Sequence, residues 1–205
     1  MVLIGEIRDR ETADIAVQAS LTGHLVFSTL HTNDAPGAVT RLVDMGIEPY
    51  LVTSSLELVM AQRLVRVICP ACKEEFVPAD MEALRQELGG DLPPTLYRGR
   101  GCRACQGTGY HGRKGIFELM PINEAIRMMI LDRASASDIR REAVRLGMRS
   151  LREDGWRLVR QGDTTLEEVL QATKDERLIG NGDAKARPAA PAPLPAAASD
   201  TEDPG

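Results

Sequence analysis

The sequence lacks the features that mark several common classes of protein. Its 25 lysines and arginines are outnumbered by 30 aspartates and glutamates, and a net charge of −5 does not favour a nucleic-acid binder. No apolar run approaches the length of a membrane-spanning helix. The N-terminus has no basic segment followed by a cleavable apolar stretch. These absences predict a soluble cytoplasmic protein that contacts a membrane only through partners.

Aromatic residues are also scarce, at 3% of the 205 residues. The hydrophobic fraction is nevertheless 43%, so aliphatic and small side chains are numerous enough to build a core. A chain of this length accommodates one large domain or two small ones. Composition therefore indicates a globular protein and leaves its function open.

Cysteine occurs only four times, but its spacing is informative. Cys69 and Cys72 form one Cys-x-x-Cys pair, and Cys102 and Cys105 form a second after 29 intervening residues, 73 to 101. Two such pairs provide the four thiolates of a tetrahedral Zn²⁺ site. Two disulfides or four unrelated buried thiols are the alternatives, and the lack of a signal peptide disfavours disulfides. Four thiolates close the coordination sphere, so the predicted zinc is structural rather than catalytic.

Two short apolar runs near the N-terminus indicate neighbouring strands of a parallel sheet, each buried on both faces. Glu6 follows the first run and His31 follows the second, whereas His24 begins the second run at the opposite sheet edge. Ligands of open α/β sheets bind beyond the carboxyl ends of the strands, where an acid can orient water or act through a metal ion. A solvated charge cluster and a structural histidine are the alternatives. Because chains rarely begin in a central strand, we expect residue 1 to be a cut point in a longer protein.

The rest of the sequence predicts an α/β fold followed by smaller units. Helices are predicted over 11–22, from a cap at Asn33 or Asp34 to Gly46, over 50–60 and over 81–88, and a glycine-rich loop and strand over 107–120. Three more helices follow Pro121, with Gly155 as a weak point in the third, and a capping box at Thr164–Glu167 opens a last one. The predicted division is 1–68, 69–110 and 111–178, with a disordered alanine- and proline-rich tail over 179–205.

The order of these motifs resembles the C-terminal part of the secretion ATPases of type II secretion systems and type IV pilus assembly. Residues 3–12 resemble the Walker B box of that family, and residues 22–35 resemble its histidine box. The segments 61–64 and 112–118 flank the tetracysteine region in the family order, and residues 164–170 resemble the C-terminal signature. Asp154-Gly155 and this ending favour the type II branch over the pilus branch.

The resemblance implies a RecA-like P-loop motor that uses ATP, Mg²⁺ and Zn²⁺. It implies a homohexamer on the cytoplasmic face of the inner membrane, bound to secretion platform proteins and driving pseudopilus assembly and protein export. Glu6 would orient the attacking water, directly or through Mg²⁺, and His31 would lie near the γ-phosphate. Arg8 would act at the nucleotide edge or across the subunit contact, and His24, the other histidine of the box, would help to bind the nucleotide.

The chain departs from the family pattern in one important respect. It contains no glycine-rich phosphate loop with its lysine and Ser/Thr, and no aspartate box or N-terminal domain. We expect all three to precede Met1 in a longer protein, and we expect the chain by itself to be inactive as an ATPase. A stand-alone, non-catalytic zinc interaction module is the alternative function, and a zinc enzyme is disfavoured because the thiolates saturate the metal.

Overall fold

The computed structural model describes residues 1–81, 84 and 93–174. It confirms an α/β protein. The elements, in chain order, are β1 (Val2–Leu3), α1 (Arg10–Leu21), β2 (Val26–Phe27), α2 (Ala35–Asp44), α3 (Pro49–Ser55), β3 (Leu58–Ile68), β4 (Lys73–Phe76), β5 (Leu96–Gly99), a 3₁₀ turn (Arg103–Cys105), β6 (Tyr110–Pro121), α4 (Glu124–Leu131), α5 (Ala136–Arg145), α6 (Leu151–Arg160) and α7 (Leu166–Ala172).

The first two strands pair in parallel, as predicted, with Val2 opposite Val26 and Leu3 opposite Phe27. The prediction that both faces of these strands are buried is wrong, because Leu3 is 80% exposed and Phe27 is 52% exposed. Ile4, Val26 and Leu30 pack against the main core, and no described element covers the opposite face. The two apolar runs therefore predicted the strands correctly, but the strands are less buried than such runs usually indicate.

Aspartate side chains begin the first two helices. Asp9 Oδ1 accepts a hydrogen bond from the Thr12 amide at 2.8 Å, and Asp34 Oδ1 accepts one from the Gly37 amide at 2.6 Å. Each satisfies an amide that has no partner within its own helix. Of the two predicted caps before α2, Asp34 is the one used, and it fixes where the segment after His31 becomes helical.

The predicted helix over residues 50–60 is too long. Helix α3 ends at Ser55, and Leu58 already belongs to β3, which pairs antiparallel with β6 from Leu58 opposite Pro121 to Ile68 opposite Tyr110. The partner strand lies more than forty residues downstream, between 110 and 121. The spacing of apolar residues within 50–60 carries no information about a distant partner strand. It therefore predicts that the apolar residues at 58–60 continue the preceding helix.

The main hydrophobic core joins the N-terminal segment to helices α4 and α5. Its buried side chains come from residues 7–52 and 120–148, and they include Val39, Val52, Ile126 and Ile139. The ranges 1–68 and 111–178 thus share one core, while the division of the chain into domains stays a prediction. Of the helix predicted over 81–88, only Met81 and Leu84 belong to the described residues. The predicted disordered tail over 179–205 lies outside them.

The predicted capping box at the last helix is displaced by one residue. Thr165, not Thr164, caps α7 by accepting a hydrogen bond from the Glu168 amide at 3.3 Å. Thr164 instead donates to the Arg66 carbonyl at 2.7 Å, and the Glu168 carboxylate pairs with the Arg66 guanidinium at 2.5 Å. The contacts of Thr164 and Glu168 with β3 therefore place the start of α7 one residue later than the local sequence predicts.

Gly155 is a site of close helix packing rather than a weak point. A Cβ atom added at this position would lie 2.4 Å from Val169 Cγ1, and Val169 is completely buried. The missing side chain allows α6 and α7 to approach each other. Helix propensity alone would favour alanine here by about 1 kcal/mol, but the contact reverses the sign.

We therefore expect Gly155→Ala to destabilise the protein by about 1–3 kcal/mol, the usual cost of overpacking a core. Urea unfolding monitored by circular dichroism measures the change. The double variant Gly155→Ala/Val169→Ala restores space at the contact, so its destabilisation should be smaller than the sum of the two single effects. A stabilised Gly155→Ala protein would show that the two helices can separate at no cost.

Among the described residues, no helix is both long enough and apolar enough to cross a bilayer.

Candidate functional site

Glu6 and His31 meet at the carboxyl ends of the first two strands. Strand pairing continues beyond β1 and β2, because the Ile7 amide donates to the Thr29 carbonyl at 2.9 Å. Glu6 Oε1 lies 2.5 Å from His31 Nε2, with the Glu6 side chain 18% exposed and the His31 side chain 87% exposed. The sequence placed both residues at this edge, and the structure brings their side chains into contact.

Arg8 holds the other oxygen of the same carboxylate. Its Nε lies 2.5 Å from Glu6 Oε2, and its side chain is 74% exposed. Glu6 Oε1 is buried, and among the described residues its close contact with His31 lacks the geometry of a hydrogen bond. A carboxylate oxygen without a hydrogen bond can accept one from water or bind Mg²⁺, which prefers oxygen ligands, when the His31 ring moves away from it. The residues present therefore fit a hydrated magnesium ion.

His24 does not join this group. It lies before β2, at the amino end of the strand, and its Nδ1 is 3.2 Å from Thr22 Oγ1. Glu6 and His31 occupy the carboxyl ends of their strands. The prediction that His24 contacts the nucleotide therefore stays a prediction without support from its position relative to Glu6.

Three contacts that the sequence did not predict hold the segment after His31. Arg63 donates to Asn33 Oδ1 at 2.8 Å. The Ala35 amide donates to Glu118 Oε1 at 2.8 Å, and the Arg140 guanidinium lies 2.7 Å from Asp34 Oδ2. One sequence signal could have identified Glu118. It lies two residues from both Ile116 and Met120, so it shares the inward face of β6 with these apolar side chains.

The four cysteines form the second candidate site. Their sulfur atoms all lie within 4.8 Å of one another, and none is part of a disulfide. Sγ–Sγ distances are 3.9 Å for Cys69–Cys102, 3.9 Å for Cys72–Cys105 and 3.7 Å for Cys102–Cys105. Four sulfurs bound at about 2.3 Å to one tetrahedral zinc lie about 3.8 Å apart, so the spacing fits a four-thiolate zinc site.

Close backbone approach builds the turns that carry these thiols. The Cys69 amide donates to the Gly109 carbonyl at 2.9 Å, which joins the two Cys-x-x-Cys segments. A Cβ atom at Gly99 would lie 2.0 Å from that carbonyl oxygen, and Gly109 itself has a φ of +78°. Only glycine fits both positions without displacing backbone. Gly109 is thus a turn residue, as the sequence indicated, whereas Gly99 ends β5 and allows the close approach.

The surroundings of the cluster shift the pKa values of two of its thiols in opposite directions. The Cys102 amide, at 3.1 Å, and the Gly109 amide, at 3.2 Å, both donate to Cys105 Sγ and lower the pKa of this thiol to about 6. Burial raises the pKa of Cys72 to about 12. These shifts favour the thiolate form of Cys105 and the protonated form of Cys72, whose proton a metal ion must displace.

Comparison with known proteins places these sites in a family context. The family described as Type II/IV secretion system protein matches residues 1–171. The Type II secretion system protein E of Pseudomonas aeruginosa is 55% identical over 176 residues, which cover 86% of this chain and 35% of that protein. The Type IV pilus assembly ATPase PilB of Myxococcus xanthus is 51% identical over 183 residues, covering 86% of this chain and 32% of that protein.

The chain thus spans about a third of the length of the curated relatives that it matches. A solved structure, that of the Yersinia pseudotuberculosis ATPase DotB, aligns with a TM-score of 0.56 at 20% identity, covering 84% of this chain and 37% of that one. This structural similarity supports the fold, and the sequence relatives support the family.

Proposed function

Because the chain belongs to the family of Type II/IV secretion system proteins, we propose that it forms the C-terminal part of a secretion motor ATPase that couples ATP hydrolysis to pseudopilus assembly and protein export. The observation that carries the proposal is the contact of 2.5 Å between Glu6 and His31 at the carboxyl edge of a parallel strand pair. Ligands of open α/β sheets bind at this edge.

The contacts at this edge suggest a division of roles. In phosphoryl transfer the protein mainly positions groups and stabilises charge. Glu6 orients the attacking water through its half-buried carboxylate, and Arg8 holds that carboxylate in place from its outer side. His31, whose side chain is 87% exposed beside Glu6, contacts the γ-phosphate of ATP in this proposal. Mg²⁺, which Glu6 would help to hold, supplies positive charge that stabilises the phosphates when it is bound.

The proposed setting follows the family. The motor acts as a homohexamer on the cytoplasmic face of the inner membrane, where secretion platform proteins bind it, and it does not bind nucleic acid. The tetracysteine cluster holds a structural Zn²⁺ in a domain between the ATPase part and the C-terminal helices. Arg8 and His24 contact the nucleotide or the adjoining subunit. Pilus assembly is the second candidate function, because the pilus relative is nearly as similar as the secretion relative.

A graft tests the motor function and distinguishes its two branches. Residues 1–174 replace the matching segment of the Pseudomonas aeruginosa relative, which supplies the remaining two thirds of the protein. We expect the graft to hydrolyse ATP and to restore secretion to a strain lacking that relative. Restoration of pilus assembly alone, in a parallel graft into the Myxococcus xanthus relative, would favour the pilus branch.

The chain by itself is expected to show negligible ATP turnover, because it has no Gly-x-x-x-x-Gly-Lys-Ser/Thr sequence to cradle the phosphates. Phosphate release and binding of a fluorescent ATP analogue measure this on the isolated chain. Inactivity of the graft as well would favour the non-catalytic zinc module, whereas strong turnover by the isolated chain would mean that its nucleotide site lies elsewhere.

A further inference from the structure

We propose that Glu118 and Arg140 are positioning residues that hold His31 against Glu6. The two residues lie on β6 and α5, far along the chain from the segment that they contact. This inference rests on the proposed function, since it assigns to the C-terminal helices a part in arranging the ATP site.

The Glu118 carboxylate is fully buried, with 0% of the side chain exposed. Its Oε1 accepts the hydrogen bond from the Ala35 amide at 2.8 Å, and its Oε2 accepts one from Arg140 at 3.1 Å. A buried carboxylate is costly unless it is paired and hydrogen-bonded, so this geometry is strongly constrained. The inward position of Glu118 thus connects β6 to the first residue of α2.

Arg140 extends the connection to the residue before Ala35. Its guanidinium is 2.7 Å from Asp34 Oδ2, while the other carboxylate oxygen of Asp34 caps α2. Both contacts end within four residues of His31. A displacement of β6 or α5 would therefore be transmitted to the segment that carries the histidine.

The Ala35 amide reports this connection directly. Ala35 is the first residue of α2, where amides have no intrahelical partner, and the acceptor of its hydrogen bond is Glu118 Oε1. Hydrogen exchange of this single amide, followed by NMR on the chain, therefore measures whether Glu118 holds the segment.

The test variant is Glu118→Leu/Arg140→Met. Removing both charges together avoids leaving one of them buried and unpaired, so the protein should remain folded, with a melting temperature lowered by the loss of the acceptor of the Ala35 amide. We expect exchange of the Ala35 amide to become at least about 10-fold faster. In the graft, kcat for ATP should fall about 10- to 100-fold with a smaller change in KM, because small misplacements of catalytic groups cost up to about 10² in rate.

Two further variants complete the design. Glu118→Gln keeps an acceptor for the Ala35 amide and should retain slow exchange and recover part of the turnover. Glu142→Leu/Arg145→Met removes an ion pair of 2.6 Å on the same helix, in which Arg145 is 68% exposed, and it should leave both measurements unchanged.

A purely structural role for the buried pair predicts wild-type turnover per folded molecule in the Glu118→Leu/Arg140→Met graft, and that result would overturn the proposal. If this variant does not fold, Asp34→Asn removes the charge facing Arg140 and keeps the helix cap. It should lower kcat several-fold, and unchanged kcat would also overturn the proposal. Failure of the motor function itself is distinguishable, because the graft with the unchanged segment would then hydrolyse no ATP, whereas failure of the positioning role alone leaves that graft active.

Discussion

Replacing Glu6 with glutamine is expected to lower ATP turnover of the graft about 10²- to 10⁴-fold, the range typical for loss of a positioned acid–base group. The substitution keeps the size of the side chain and its capacity to hydrogen-bond, and removes the charge that orients water or Mg²⁺. Nucleotide affinity should remain, because we expect the phosphate-binding loop to lie outside residues 1–174. Phosphate release and equilibrium binding of ATP, measured on the same preparation, separate the two quantities.

His31→Ala provides the companion measurement. It should reduce turnover without unfolding the tetracysteine region, because its side chain is 87% exposed and its close contact is with Glu6. If both residues were merely structural, residual activity would follow the folded fraction, and each substitution would lower the melting temperature. Full turnover by a well-folded Glu6→Gln graft would end the catalytic assignment.

Removal of zinc is expected to unfold the region from about residue 69 to 110. The buried cysteine cluster packs mainly upon itself, so metal binding supplies much of the energy that holds its turns. Elemental analysis of reduced, freshly purified protein should find one zinc per chain. Cys72→Ser, or a strong chelator, should abolish the dispersed NMR signals of β4 and β5.

A matched control and a pH series sharpen this test. Ala71→Ser introduces the same hydroxyl at the neighbouring exposed position and should leave zinc content and folding unchanged. Because the raised pKa of Cys72 means that the metal must displace a proton, zinc affinity should increase with pH between 6 and 8. Zinc-free protein with intact β4 and β5 signals would show that the cluster folds without metal.

Much of the candidate chemistry was accessible from local sequence. The two apolar runs identified the parallel strands, and the polar residues that follow them, Glu6 and His31, do meet at the sheet edge. The cysteine spacing identified four thiols that the fold brings within one coordination sphere. These predictions succeed because strand direction and knuckle spacing are properties of a few consecutive residues.

Local sequence misled where a distant partner decides the conformation. Residues 58–60 belong to a strand because they pair with β6. Thr164 does not cap the last helix, because its hydroxyl donates to the Arg66 carbonyl instead. Gly155 appears as a helix breaker in sequence, yet it permits the contact with Val169. In each case an interaction across the fold outweighs a local preference of about 1 kcal/mol or less.

The sequence by itself thus determined which groups are the candidates for the chemistry: the Glu6 carboxylate, the His31 imidazole and the four thiols. Only the tertiary structure decided how the segment after His31 is held, because the hydrogen bond from the Ala35 amide to the Glu118 carboxylate joins residues 83 positions apart. A buried carboxylate is stable only where the fold supplies donors to both of its oxygens. Such donors come from separate elements, and only packing brings them together.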